Sequence, residues 1–381
     1  MVHEIVRFCF LGILVMQNAV SGTHHHHMSL QQEAASPSPS PSPAPSRKVV
    51  PAMFIFGDSL IDNGNNNNIA SFAKANYFPY GIDFQGGPTG RFSNGFTMVD
   101  TIAQLLGLRL IPAYSEASPA QVLHGVNYAS AAAGILDDTG MNFLGRIPFN
   151  QQIKNFEDTL HQITTEDRVP AAVLARDLAG SIFFVGIGSN DYLNNYLMPN
   201  YETSKQYNPK KFARLLTEQY SQQLTRLYNL GARKFVLTGI GKMGCIPSML
   251  ARTANGSCFE EVNQLVQPFN ANVKAMADGL TSCLADSQFI FMDVRNIFED
   301  IVAKKDSYGF RVTNYGCCGI GRFGGQITCL PFQMPCANRK QYMFWDAFHP
   351  TEAVNILMGI KAFNGSIHEV YPMNIEQLAA I

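Results

Sequence analysis

The chain has 381 residues, 46% of them apolar and 15% charged, a balance that supplies a large core and excludes a disordered chain beyond the N-terminal stretch. Its formal net charge is -1, with acidic and basic residues interspersed, so it carries no electrostatic footprint for nucleic acid or an anionic membrane, and small neutral partners fit better. At roughly 150 residues per domain the length suggests two domains, but no internal linker divides the chain and single α/β domains often run larger.

The first stretch, MVHEIVRFCFLGILVMQNAVSG, places Arg7 before an apolar run from Phe8 to Met16 and then the small residues Ala19, Ser21 and Gly22. That is the pattern of a secretory signal over residues 1–22, and secretion to the extracellular space is expected from it. A buried N-terminal helix is the weaker reading, because the residues that follow lack any apolar period. The run is too short to span a bilayer and no other stretch approaches about 18 uninterrupted apolar residues, so no membrane anchor is expected. His24 to His27 and SPSPSPSPAPS at 36–46 are low-complexity sequence. Residues 23–47 therefore read as an extended spacer and residues 48–381 as one folded domain.

Strands are expected at 49–56, 109–113, 125–129, 181–187, 234–240 and 288–294, several of them apolar on both faces, as in a parallel sheet covered on two sides. The first leads into FIFGDSLIDNGNNN (54–67), where Gly57, Asp58 and Ser59 stand at the carboxyl end of a buried strand. Ser59 is placed either to act as a nucleophile or to cap a helix; the glycine and asparagines after it suit a loop better than a first helical turn. GRFSNG (90–95) offers Arg91 to a substrate, with Ser93 or Asn94 as the cap of the next helix the more economical reading. GVNYASAAAGIL (125–136) leaves its strand into small residues whose N–H groups can approach a ligand closely, or which serve only tight packing. FFVGIGSNDY (183–192) ends in Asn190 and Asp191, and a side-chain amide at such a strand end can donate to charge developing on a carbonyl oxygen.

Apolar residues recur at helical spacing from Phe212 to Tyr228 and from Val262 to Met276, predicting two core-facing helices. Strand alternating with helix favours a doubly wound, three-layer α/β fold, with ligands beyond the carboxyl ends of the strands. GIGKMG (239–244) matches the spacing of a dinucleotide loop but lacks the helix after it, and reads as a loop beside the cleft. Finally, FWDAFHPTEA (344–353) holds Asp346 and His349 three apart in a turn before a last helix that begins at Pro350, Thr351 and Glu352. That spacing lets the carboxylate hold Nδ1 and leave Nε2 facing outward as a base. A satisfied structural histidine is the plainer alternative.

Setting Cys9 aside leaves seven cysteines, an odd number. Disulfides suit an exported chain better than zinc, because the short Cys-x-x-Cys pairs of zinc ribbons are absent. The expected pairs are Cys245 with Cys258, and Cys317 or Cys318 with Cys329 and Cys336, with Cys283 left over. Asn255 and Asn364 stand in Asn-Gly-Ser tripeptides, acceptor sites for N-glycosylation in a eukaryotic secretory route.

Taken together, FGDS, the 125–136 block, GSND and WDAFHP, in that order over about residues 49–375, resemble the GDSL esterase/lipase family, the plant-type branch of the SGNH hydrolase superfamily. The resemblance implies a three-layer α/β/α sandwich with a mostly parallel, flavodoxin-like sheet. It also implies a serine hydrolase that cleaves carboxylic esters without metal or cofactor: Ser59 as nucleophile, His349 as base, Asp346 behind it. The Ser59 and Ala131 amides and the Asn190 side chain would form the oxyanion hole. Many relatives have glycine after the serine of the second block, where this chain has Ala131, so a neighbouring amide is the alternative. Acyl transfer or polysaccharide O-acetyl ester cleavage would use the same triad, and an inactive secreted binding protein would retain only the fold. A metal-dependent phosphoesterase built on Asp58, Asn190 and His349 lacks the further His and Asp residues of a two-metal site.

Overall fold

Four short runs rich in Phe, Ile and Val form the centre of the computed structural model, which describes residues 50–165 and 169–381. The signal and spacer expected over 1–47 lie outside the described residues. The runs are β1 (Met53–Gly57), β2 (Ile182–Gly186), β3 (Lys234–Thr238) and β4 (Gln288–Met292). They pair in parallel in that order, and a short antiparallel strand, β7 (Val370–Tyr371), closes the edge beside β4.

Strand residues alternate between two apolar layers, as the period of two requires. Phe54, Phe56, Phe183, Val185, Phe235 and Phe289 face one layer. It is built by α2 (Phe149–Thr165), α3 (Ala171–Gly180), α4 (Pro209–Asn229) and α6 (Gln267–Cys283). Met53, Ile55, Ile182, Phe184, Val236 and Ile290 face the other, built by α1 (Met98–Leu105), α7 (Val294–Ala303), α8 (Glu352–Asn364) and α9 (Ile375–Ala380). Aromatic rings fill the first layer; Phe235 and Phe289, paired across β3 and β4, stack with centroids 4.2 Å apart.

Two expected strands are corrected. Residues 109–113 and 125–129 form isolated bridges only, Ala113 to Asn127 and Ile55 to Asn127. Pro112 has no N–H to give a ladder, and Gly125, at φ 116°, passes so close to β1 that a Cβ there would stand 2.0 Å from the Met53 carbonyl oxygen. The 125–129 segment nevertheless runs beside β1, donating from Tyr128 to the Ile55 carbonyl and accepting from the Ile55 N–H at the Val126 carbonyl. Counted in, the spatial order is 2-1-3-4-5, the flavodoxin-like arrangement, with its switch point between β1 and β2.

The helix expected over 262–276 is two, α5 (Glu260–Leu265) and α6, because Pro268 in the first turn of α6 cannot continue a hydrogen-bonded ladder. Helix α1 is capped neither by Ser93 nor by Asn94: Thr97 starts it, donating from its N–H and its hydroxyl to Asp100. Asn94 instead accepts from Glu352 N, at the start of α8. Strands β5 (Val312–Gly316) and β6 (Tyr342–Phe344), a parallel pair, have no counterpart in the sequence reading; β5 is half-exposed and too polar to stand out.

The loop between β5 and β6 is held by disulfides Cys317–Cys336 and Cys318–Cys329, and a third joins Cys245 to Cys258. Cys283, the expected leftover, is also disulfide-bonded. Replacing both Cys318 and Cys329 by alanine is expected to cost roughly 2 to 4 kcal/mol, read as a lower melting temperature and lost on treating the parent protein with reductant.

Candidate active site

Both strands that flank the switch point end in glycine, and each is followed within four residues by polar groups that line one cleft, Asp58 and Ser59 after β1 and Ser189 and Asn190 after β2. Gly57 closes β1 because its neighbour allows nothing larger: a Cβ would stand 2.3 Å from the Gly186 carbonyl oxygen. Its backbone is clamped by buried Gln152, which accepts from Gly57 N and donates to Gly57 O at 2.9 and 2.8 Å. After it the chain turns at once. The Asp58 carbonyl accepts from Ile61 and Asp62, and the Asp58 side chain accepts from Leu60 N, leaving Ser59 half-buried at the top of the turn.

The asparagines that follow are structural and mostly buried. Asn65 Nδ2 donates to the carbonyls of Asn127 and Ala129, and Asn66 Nδ2 to that of Ala131. Asn66 Oδ1 accepts the Ser130 hydroxyl. The polar run thus staples the Ser59 turn to the 127–131 segment, satisfying groups that would otherwise be buried unpaired.

Ser59, His349 and Asp346 are brought together across the whole chain. Ser59 Oγ is 2.8 Å from His349 Nε2, and Nδ1 is 2.9 Å from each Asp346 oxygen. Asp346 Oδ1 also accepts from the backbone N–H groups of Phe348 and His349, both at 2.8 Å. Oδ2 accepts from the Tyr80 hydroxyl at 2.6 Å and the Thr328 hydroxyl at 3.3 Å. Burial opposes ionisation of Asp346, but the charge and hydrogen bond of His349, with the Tyr80 and Phe348 donors, outweigh it and hold the carboxyl below its usual range. The Phe92 ring packs on the imidazole with centroids 4.9 Å apart.

Asn190 stands just past β2. Its Nδ2 donates to the Ala133 carbonyl at 2.9 Å, and its Oδ1 accepts from Asn194 Nδ2 at 2.6 Å, which fixes the amide orientation and leaves the second Nδ2 hydrogen uncommitted. Its neighbour Asp191 accepts from Ile135 N, Leu136 N and the Thr139 hydroxyl, anchoring the second block beneath it.

Ala131 requires a correction. Its amide is spent on Asp62 Oδ2 at 2.9 Å, so it has nothing to give an oxyanion. Among the described residues the N–H groups of Ser59 and Ala132 donate to no protein acceptor, and both residues line the cleft. Ala132 has φ 66°, the left-handed region, which is the conformation that favours glycine at this point of the chain.

The cleft encloses about 1290 Å³, counted with the solvent at its mouth. Its walls are mainly apolar, with Phe72, Phe143, Ile240, Met243, Phe298 and Met358 among them. Ile240 to Met243 place the GIGKMG segment beside the cleft, as a loop. Arg91 does not line it; buried, it makes a two-pronged ion pair with Asp100 at 2.8 Å. Tyr80, Thr328, Gln152, Asn194 and Ala132 are contributors that the sequence reading missed.

Asp58 also lines the cleft, and burial pushes its carboxyl up to about 7, against the Leu60 N–H bond and the attraction of His349. A carboxyl raised on folding binds more protons native than unfolded, so the stability it contributes is complete below about pH 4 and lost as pH rises through about 7. Asp62 and Asp191, each pushed by burial to about 6, act in the same sense. Asp58→Asn, which keeps the acceptor for Leu60, is expected to lose less melting temperature than the parent between about pH 5 and about pH 8; parallel thermal melts at the two pH values check this.

A family model for the GDSL-like Lipase/Acylhydrolase matches residues 53–361. One GDSL esterase/lipase of Arabidopsis thaliana is 65% identical over 333 residues, 87% of this chain and 86% of its own length. A second from the same plant is 51% identical over 338 residues, 87% and 92% of the two chains. GDSL esterase/lipase 7, also from Arabidopsis thaliana, is 50% identical over 339 residues, 87% and 93%.

Proposed function

The chain belongs to the GDSL lipase/acylhydrolase family and is a carboxylic ester hydrolase, and from that premise we propose that it works through a covalent acyl-serine intermediate on Ser59. The observation that carries this reading is the continuous hydrogen-bonded line from Ser59 Oγ through both nitrogens of His349 to Asp346.

In the first half-reaction Ser59 Oγ attacks the ester carbonyl carbon as His349 Nε2 takes its proton, and Asp346 stabilises the imidazolium. The oxyanion accepts from the N–H groups of Ser59 and Ala132 and from the free hydrogen of Asn190 Nδ2. Collapse expels the alcohol, which takes the proton back from Nε2. Water then attacks the acyl group with His349 again as base, and Ser59 is regenerated. Both ring nitrogens of His349 are engaged in this line, an arrangement that serves proton transfer.

The substrate class that fits is an ester with an apolar acyl chain, because the cleft walls offer rings and aliphatic side chains and few polar groups. Secretion is supported by the sequence of residues 1–22 and by the disulfides Cys245–Cys258, Cys317–Cys336 and Cys318–Cys329. Among the described residues no helix is long and apolar enough to cross a membrane. Asn255 and Asn364 are exposed and open to glycosylation on that route.

The test is a hydrolysis panel of short nitrophenyl esters, long acylglycerols and acetylated polysaccharide, with Ser59→Ala as blank. Turnover rising with acyl length supports the proposal; preference for acetylated polysaccharide refutes the substrate class. Failure of a serine-directed phosphonate to label Ser59 refutes the acyl-serine route.

A further inference from the structure

Asp346 Oδ1 is fixed by two backbone amides of its own turn, but Oδ2 is held from far away. Its donor, the Tyr80 hydroxyl, lies 266 residues earlier in the chain and makes a short bond of 2.6 Å, the length of a charge-assisted contact. We propose that Tyr80 is a positioning residue of the proton relay, setting both the orientation of the Asp346 carboxylate and the share of its charge that reaches His349. The proposal rests on the reading of Ser59, His349 and Asp346 as the catalytic unit.

Three observations carry it. First, the phenol has no freedom to point elsewhere. Tyr80 is 1% exposed, and its ring is met by Tyr77, Phe92 and Trp345 at centroid distances of 5.3, 5.9 and 6.2 Å. The same Phe92 ring packs on His349, so the phenol and the imidazole share a wall. Second, the Thr328 hydroxyl lies 3.2 Å from the Tyr80 oxygen and 3.3 Å from Asp346 Oδ2, so its one hydrogen serves either acceptor while the Tyr80 hydrogen stays on Asp346. Thr328 precedes Cys329, which is bridged to Cys318 and whose carbonyl accepts the Tyr77 hydroxyl at 2.8 Å. The disulfide loop thereby closes over the back of the relay. Third, Nδ1 is equally distant from both carboxylate oxygens, so the donors on each oxygen govern how the negative charge is divided before His349.

The titratable groups around His349 are Asp346, Asp58, Tyr80 and, behind Tyr80, Tyr77. Burial and the charge of Asp346 raise the Tyr80 phenol well above its ordinary range. It therefore remains a neutral donor across the working range. Deleting that donor leaves Oδ2 with more charge to offer Nδ1–H, which favours the imidazolium form and moves the acid-side fall of kcat/KM to higher pH.

The test is Tyr80→Phe, which removes one oxygen and keeps the packed ring, with Thr328→Val as the second variant. The measurements are pH profiles of kcat/KM on a nitrophenyl ester, melting temperature, and phosphonate labelling of Ser59. Expected are a rise of several tenths of a pH unit in the acid-side midpoint and a loss of about 10-fold in kcat at neutral pH for Tyr80→Phe, with a smaller shift of the same sign for Thr328→Val. An unmoved midpoint in Tyr80→Phe overturns the proposal, whether activity is kept or falls together with melting temperature, since a purely structural role changes the amount of active enzyme and not its pH profile. If the parent protein is labelled but the midpoint does not move, the role of Tyr80 fails alone. If the parent is not labelled, the catalytic unit fails with it.

Discussion

Ser59→Ala is expected to lower kcat for ester hydrolysis by roughly 10⁴-fold or more while leaving the melting temperature near that of the parent. The size follows from chemistry: without Oγ no acyl-enzyme forms, and the remaining rate is what the oxyanion donors and binding give to attack by water. The silence in stability follows from structure. Ser59 is half-buried, and among the described residues its N–H is uncommitted and its hydroxyl bonds only His349, which keeps its tie to Asp346. His349→Ala is expected to cost as much, and the double variant no more than either, because the two act as one unit. Steady-state kinetics on a nitrophenyl ester, with circular dichroism melts of the same preparations, checks both; a Ser59→Ala protein with activity within a factor of about ten of the parent removes the nucleophile assignment.

Asn190→Ala carries the second largest expected effect, a fall in kcat of roughly 100-fold to 1000-fold with little change in KM. The donor is prepositioned: Asn194 holds Oδ1, and one Nδ2 hydrogen is anchored on the Ala133 carbonyl, so the other is aimed without reorganisation when charge develops. The variant also strands the Ala133 carbonyl, a buried acceptor whose loss of a partner costs about 1 to 3 kcal/mol. Folding is expected to survive that cost, since Asp191 still ties down the second block through three bonds. Near-normal turnover discards the oxyanion role.

Ser59, Asn190, Asp346 and His349 were legible because each belongs to a local pattern: a buried strand ending in small polar residues, or a carboxylate three places before an imidazole. The sheet was legible for the same reason where strands are apolar on both faces, as in β1 to β4. Gln152, Tyr80 and Thr328 were not, because what makes them matter is a contact 95, 266 or 18 residues away, and no local period marks them. The choice between Ala131 and Ala132 was beyond reach for another reason: it depends on which of two adjacent amides Asp62 consumes. The 109–113 and 125–129 segments show the limit of apolar pattern, since Pro112 and the close passage of Gly125 against β1 decide whether a ladder forms.

Ser59 and His349 are separated by 290 positions in the chain, the one just after the first strand and the other just before the penultimate helix. On the proposed relay, esterase turnover therefore doubles as a readout of completed tertiary assembly. On that relay a nascent polypeptide halted before residue 349 lacks its base however well its sheet has formed, so turnover is expected only once synthesis is nearly finished.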